Sequence, residues 1–113
     1  MKLTTQELLS CPSFSPVCGG EEARPVEGIY CCDLLSLVMG RAKAGDCWVT
    51  VMGNINAVAV ATLADAACIL LAEGMSFDPA AVERARQQGI ALFRTELPVY
   101  EAARLVEQLG GGL

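Results

Sequence analysis

Acid–base and nucleophilic chemistry in this chain has to run on carboxylates, thiols and hydroxyls, because it contains no histidine. That removes the commonest general base, the commonest metal ligand and the usual pH switch together. Six cysteines remain: Cys11, Cys18, Cys31, Cys32, Cys47 and Cys68. Such a count reads as a disulfide framework in a secreted chain and as a metal, cluster or redox site in a cytosolic one. Zinc and iron–sulfur sites recruit paired Cys-x-x-Cys ligands, a spacing that none of these six makes, and the adjacent Cys31 and Cys32 point to opposite faces if they lie on a strand. Cys47 and Cys68 sit inside apolar runs, where a thiol serves as a small hydrophobe. A small cysteine-rich metal- or cluster-binding redox accessory protein is therefore the alternative reading, not the leading one.

The other reactive types are equally short of partners. Ser10, Ser13, Ser15, Ser36 and Ser76 have no histidine to activate them, and Lys2 and Lys43, the only lysines, follow no strand. Neither Gly-x-x-x-x-Gly-Lys-Ser/Thr nor Gly-x-Gly-x-x-Gly occurs, so phosphoryl transfer has no cradle. Glu73 and Glu96 could form an acid/base pair or a divalent-cation site, against the plainer reading of two solvated carboxylates. The expectation is a chain that is not an enzyme, with no catalytic residue, no metal and no cofactor.

The elements that position these groups are legible in the punctuation. Thr4-Thr5-Gln6-Glu7 has the form of a capping box and predicts a short helix from Thr5 to Ser10. Pro12 and Pro16 end it and leave a brief extended stretch around Phe14 to Cys18, closed by Gly19-Gly20. Val26 to Cys32 reads as a strand. Asp33 is placed to cap a helix carrying Leu34, Leu35, Leu37, Val38 and Met39, which Gly45 ends. Cys47 to Met52 is the next strand, and Gly53-Asn54-Ile55-Asn56 turns into an Ala-rich helix over Asn56 to Ala64. A strand over Ala67 to Leu71, a helix started by Asp78-Pro79 and stopped by Gly89, a strand over Ile90 to Arg94 and a helix over Val99 to Leu109 complete the chain. The Ala-rich helix has scarcely a polar face and must be covered on all sides, in part by a second subunit. Alternation of strands with helices, the strands apolar on both faces, predicts an α/β three-layer sandwich: a largely parallel sheet of about four to five strands with helices on both faces. Residues 1–109 form the single domain and 110–113 a flexible tail.

In an open parallel sheet, ligands bind beyond the carboxyl ends of the strands, where helix N-termini converge. That places the candidate ligand-binding rim at Asp33, Gly53, Asn54, Asn56, Glu73 and Thr95. Nearby carboxylates oppose a highly charged anion there, so a nucleotide needs Arg24 or Arg94 to reach the rim.

Composition narrows the partners. The chain is 53% hydrophobic and carries net charge -5, with its basic residues scattered, so no footprint for nucleic acid or anionic lipid is present. Ile55 to Ala72 approaches the roughly 18-residue length of a membrane span, but Asp65 in its middle favours a buried helix followed by a buried strand. With no signal-peptide pattern at the amino terminus, a cytoplasmic location is expected. So much apolar surface on so small a domain predicts a homodimer.

The run from Ala23 to Ser36 (ARPVEGIYCCDLLS), followed at helix length by Gly45-Asp46-Cys47-Trp48-Val49-Thr50, resembles the DRTGG domain family, and the segments Asn56–Ala61, Leu71–Gly74 and Leu92–Thr95 are similar to that family's later strands and loops. Of the naming motif, Arg24 and Gly28 match, whereas Ala23, Glu27 and Ile29 depart from it. The family resembles the amino-terminal domain of HPr kinase/phosphorylase, occurs as stand-alone proteins and stands beside CBS domains in regulated pyrophosphatases. The kinase machinery of the first lies in a different domain and has no counterpart here. The resemblance implies a non-catalytic regulatory or ligand-sensing α/β module, self-associating, that binds a small metabolite, an adenine nucleotide or a protein partner. Some stand-alone members accompany iron-hydrogenase or related redox genes, which implies a partner in anaerobic metabolism.

Overall fold

Three strands of this chain are apolar at consecutive rather than alternate positions, the pattern of strands covered on both faces. The computed structural model, which describes residues 3–112, shows what covers them. The elements run α1 (Thr5–Leu9), β1 (Ser15–Cys18), β2 (Gly28–Cys31), α2 (Leu35–Arg41), β3 (Asp46–Thr50), α3 (Ile55–Ala64), β4 (Cys68–Leu71), α4 (Pro79–Gln88), β5 (Ala91–Arg94) and α5 (Val99–Leu109). They form a single five-stranded sheet in the order β1-β5-β4-β3-β2. β2, β3, β4 and β5 are mutually parallel, and β1 adds to β5 antiparallel. This is the α/β sandwich with a largely parallel sheet that the alternation predicts.

Each strand feeds one side chain to each layer in turn. Trp48, Ile69 and Leu92 stand in one row and pack with Val38, Ala57, Val58, Ala61, Ala81 and Ala85 from α2, α3 and α4. Val49, Leu70 and Phe93, with Cys47 and Cys68, face the other way and pack with Leu8, Ala102 and Val106 from α1 and α5. Trp48 is the largest fully buried side chain, and its indole N–H donates to the Cys32 carbonyl at 2.8 Å, so its burial leaves no polar group unpaired. Asn54 starts α3 by accepting from Ala57 N–H at 2.9 Å, and Asp65 ends it in the left-handed conformation at φ 59°. The apolar stretch from Ile55 to Ala72 is thus a helix, a turn at Asp65 and a strand, and no helix among the described residues is long and apolar enough to cross a membrane. Within the chain α3 is flanked by α2 on one side, α4 on the other and the sheet beneath, while its outer side is left open, with Leu63 71% exposed.

Local expectations shift in three places. Asp33 does not cap α2: Leu34 occupies the N-cap with no side-chain bond, because the Asp33 carboxylate is drawn to β3 instead. α3 starts one residue before the expected Asn56, at Ile55, with Asn54 as its cap. α2 stops at Arg41, well before Gly45, which sits at φ 84° in the turn into β3. The capping box at Thr4 and Glu7 is present in both its bonds. At the far end, Gly110, Gly111 and Gly112 return N–H bonds to the last turn of α5, and Leu113, like Met1 and Lys2, lies outside the described residues.

Candidate functional site

The parallel register sets the strand ends flush, with Thr50, Leu71 and Arg94 paired in one row. The loops after β2, β3, β4 and β5 therefore leave the sheet at one end; of the rim residues expected from sequence, Asp33, Gly53, Asn54, Glu73 and Thr95 lie on those loops and Asn56 in the first turn of α3. What the structure adds is how their polar groups are used. Asp33 Oδ1 accepts from Thr50 Oγ1 at 2.8 Å and from Val51 N–H at 3.0 Å, lashing the end of β2 to that of β3. Asn54 is committed to the first turn of α3. Glu73 Oε2 accepts from Val99 N–H at 2.9 Å and so occupies the N-terminus of α5. Thr95 Oγ1 donates to the Ser13 carbonyl at 2.8 Å and accepts from Leu97 N–H at 3.2 Å. Gly53 is small for the protein's own sake: a Cβ there would sit 2.7 Å from the Ser76 carbonyl oxygen, and the Gly53 carbonyl accepts from Asp78 N–H at 2.8 Å. The Asn56 side chain is exposed and bonds to none of the described residues.

The topology also relocates the opening. The three crossover helices α2, α3 and α4 lie on one face and the strands advance in order, so the sheet has no point inside its parallel part where helices diverge to make a crevice. The chain changes face only after β5, where α5 departs for the other layer and antiparallel β1 begins alongside. A cavity of about 300 Å³ opens there, lined by Pro12, Ser13, Ser15, Arg94, Thr95, Glu96 and Leu97. Arg94 reaches this rim. Its Nε donates to the Met75 carbonyl at 3.0 Å, and its Nη2 donates to the Gly74 carbonyl at 3.0 Å and to Glu96 at 3.1 Å. Ser13 and Ser15 escaped the sequence reading because nothing in their spacing says that β1 runs antiparallel and so starts at this end. Arg94 carried a signal, being the last residue of an apolar strand.

Arg24 goes to the opposite end. It donates from Nη2 to the Asp65 carbonyl at 2.6 Å and pairs with the Asp65 carboxylate at 3.0 Å. A second cavity, about 220 Å³, lies at the amino ends of β4 and β5, with Arg24, Arg86, Glu22, Cys18 and Gly20 in its wall. Its arginines stand where α3 and α4 present their carboxyl ends, whose dipoles call for positive charge.

The six cysteines are free thiols, and they are dispersed over both layers. Burial raises the Cys18 thiol despite the nearby Arg86, and burial followed by the Asp33 charge raises Cys31. A hydrogen bond with Cys68, reinforced by burial, lifts Cys47 well above the ordinary thiol value. Thiols held protonated are poor nucleophiles and poor metal ligands at neutral pH. Among the described residues, no three Cys, Asp or Glu side chains are grouped to hold an ion.

No family model and no curated protein matches the chain. Among solved structures, it is similar to the CBS and DRTGG domains of the regulatory region of Clostridium perfringens pyrophosphatase, solved with the activator diadenosine tetraphosphate. The TM-score is 0.77 at 15% identity, over 96% of this chain and 47% of that one. The likeness is one of fold, and the chain spans about half the length of the protein it matches.

Proposed function

We propose that this protein is a non-catalytic regulatory module of the DRTGG type that senses a small ligand, in the cytoplasm and as a homodimer. The observation that supports it most is the fold shared along nearly its whole length with a regulatory region crystallised with a nucleotide activator. The polar groups of the rim give such a site a fixed frame: Asp33, Asn54, Glu73 and Thr95 hold its loops and helix starts together. The ligand site in this reading is the carboxyl-end rim, Asp33, Gly53, Asn54, Asn56, Glu73 and Thr95, extended by the cavity at Arg94. Arg94 supplies the positive charge that a phosphate-bearing ligand such as an adenine nucleotide needs, and Asn56 and the first N–H groups of α3 supply neutral donors. Self-association is supported by the large apolar side chains left exposed, among them Leu34, Leu37, Met39 and Leu63.

Titration with a panel of adenine nucleotides and small metabolites, followed by amide NMR shifts, tests the ligand reading. Shifts clustered at residues 53–56 and 94–97 are expected, with binding weakened about tenfold or more in Arg94→Ala, the scale of a lost charge-assisted hydrogen bond. Shifts confined to other residues remove this site, and no shift with any compound replaces the small ligand with a protein partner.

A further inference from the structure

The cavity at the amino ends of β4 and β5 is walled in part by polar groups that the fold itself does not use. Gly19 and Gly20 leave β1 in the left-handed region, at φ 72° and 96°, and a Cβ would lie 3.0 Å from Ala91 Cα at the first and 3.1 Å from Phe93 Cζ at the second. Only glycine threads this turn. Beyond it the backbone is bare: none of the N–H groups from Gly20 to Ala23 donates to a described residue. The loop is nevertheless pinned at both ends to α1. Buried Thr5 donates from Oγ1 to the Gly20 carbonyl at 2.9 Å and accepts at the same oxygen from Arg24 N–H at 3.1 Å, while its own N–H donates to the Arg24 carbonyl at 2.9 Å. The free donors are thus held in place before anything binds.

Charge decides what they would meet. Arg86 and Glu22 both line the cavity, and neither side chain has a hydrogen bond or an ion pair among the described residues. Arg24 and Asp65 answer each other, and Glu21 stands near Cys18 just outside the lining. One free guanidinium therefore faces two free carboxylates and the negative end of α4, which finishes in this wall at Gly89. A phosphate or other pure anion is repelled by that balance, and a pure cation meets Arg86. A molecule carrying both charges fits. Size narrows it further, since about 220 Å³ falls below the roughly 300–1,000 Å³ of sites for drug-sized ligands and is too small for a nucleotide. Ala67, Ala85 and Ala91, each 5% exposed or less, give it an apolar floor.

We propose that this cavity binds a small α-amino acid. Its carboxylate lies on the Arg86 guanidinium and the bare N–H groups after Gly19, its ammonium on Glu22 and the carboxyl end of α4, and its side chain on the alanine floor. The site is separate from the carboxyl-end rim and stands whether or not that rim takes a ligand.

Amide NMR titration of the whole chain tests it, with glycine, L-alanine and L-serine as ligands and two half-ligands as controls: propionate, which lacks the ammonium, and alaninamide, which lacks the carboxylate. Saturable shifts from at least one amino acid are expected at residues 18–24 and 85–91, with each half-ligand binding about tenfold or more weakly. Arg86→Ala, at an exposed helix position, weakens the amino acid about tenfold and leaves the residual binding of alaninamide unchanged, whereas Glu22→Gln weakens the amino acid and leaves propionate unchanged. Spectra that otherwise overlay show that both variants keep the fold. The absence of saturable shifts at these residues up to about 10 mM of all three amino acids overturns the proposal. So does propionate or alaninamide binding as tightly as the amino acid, or amino-acid binding indifferent to both substitutions.

Discussion

The two ends of the parallel strands answer the same physical problem with opposite charges. At the carboxyl end the crossover helices begin, and there Asn54 and Glu73 accept from the first N–H groups of α3 and α5. At the amino end α3 and α4 finish, and there Arg24 donates to the last carbonyl beyond α3 while Arg86 stands in the last turn of α4. The polar residues at both ends respond first to the helix dipoles and the unpaired backbone groups of their own chain. The ends differ in what is left over. Each end has a cavity, the amino-end one beside Arg24 and Arg86 and the carboxyl-end one beside Arg94, but the amino end buries Cys47 and Cys68 beneath it whereas the carboxyl end keeps the Asn56 side chain exposed. A polar residue at a strand end is therefore a ligand candidate only after its internal bonds have been counted.

Removing Asp33 strikes the carboxyl end hardest. Asp33→Ala leaves the fully buried Thr50 hydroxyl and Val51 N–H without their acceptor, and a loss of about 2 kcal/mol is expected. Asp33→Asn, which keeps an acceptor, retains most of it. Urea midpoints read both, and a loss below about 0.5 kcal/mol in Asp33→Ala frees this carboxylate from its structural role at the rim.

Raising the pH probes the buried amino end. The folded chain holds the Cys47 proton well above the ordinary value of 9.0, whereas the unfolded chain releases it near that value. The native state then binds more protons than the unfolded state, so stability is intact below about pH 9 and falls as pH rises beyond it, by about 1.4 kcal/mol per unit for one such thiol. Denaturation at stepped pH shows the decline, and Cys47→Ala removes its steepest part. A stability unchanged between about pH 9 and pH 10.5 contradicts a buried, protonated Cys47.

The smallest effect belongs to Arg24. Its carboxylate partner Asp65 is 67% exposed, so Arg24→Ala is expected to cost about 1 kcal/mol or less, and salt shrinks the cost further. A loss matching that of Asp33→Ala reverses the ranking of the two ends. Thermal or urea midpoints at two ionic strengths make the measurement.

Alternation of element types, both-face apolar strands, the Thr4 capping box, Asp78-Pro79 before α4 and Gly89 after it are all written in local order, because each depends on residues within a turn or a strand of one another. The four loops that share the rim follow as soon as the strands are parallel. Local order thus sufficed for the three-layer sandwich, for the starts of α1, α4 and α5 and for the end of the sheet where the loops gather, but not for the starts of α2 and α3. Tertiary structure alone decided the rest. The antiparallel entry of β1, which brings Ser13 to Thr95, and the capture of Asp33 by β3 are pairings across 82 and 17 residues, and no local pattern encodes a partner that distant. Arg24 and Arg94 look alike in the sequence, and only the completed sheet sends one to each end. Pro16 is the clearest instance: it is visible in the chain, but whether it lies at an edge depends on the order of strands, which long-range packing sets.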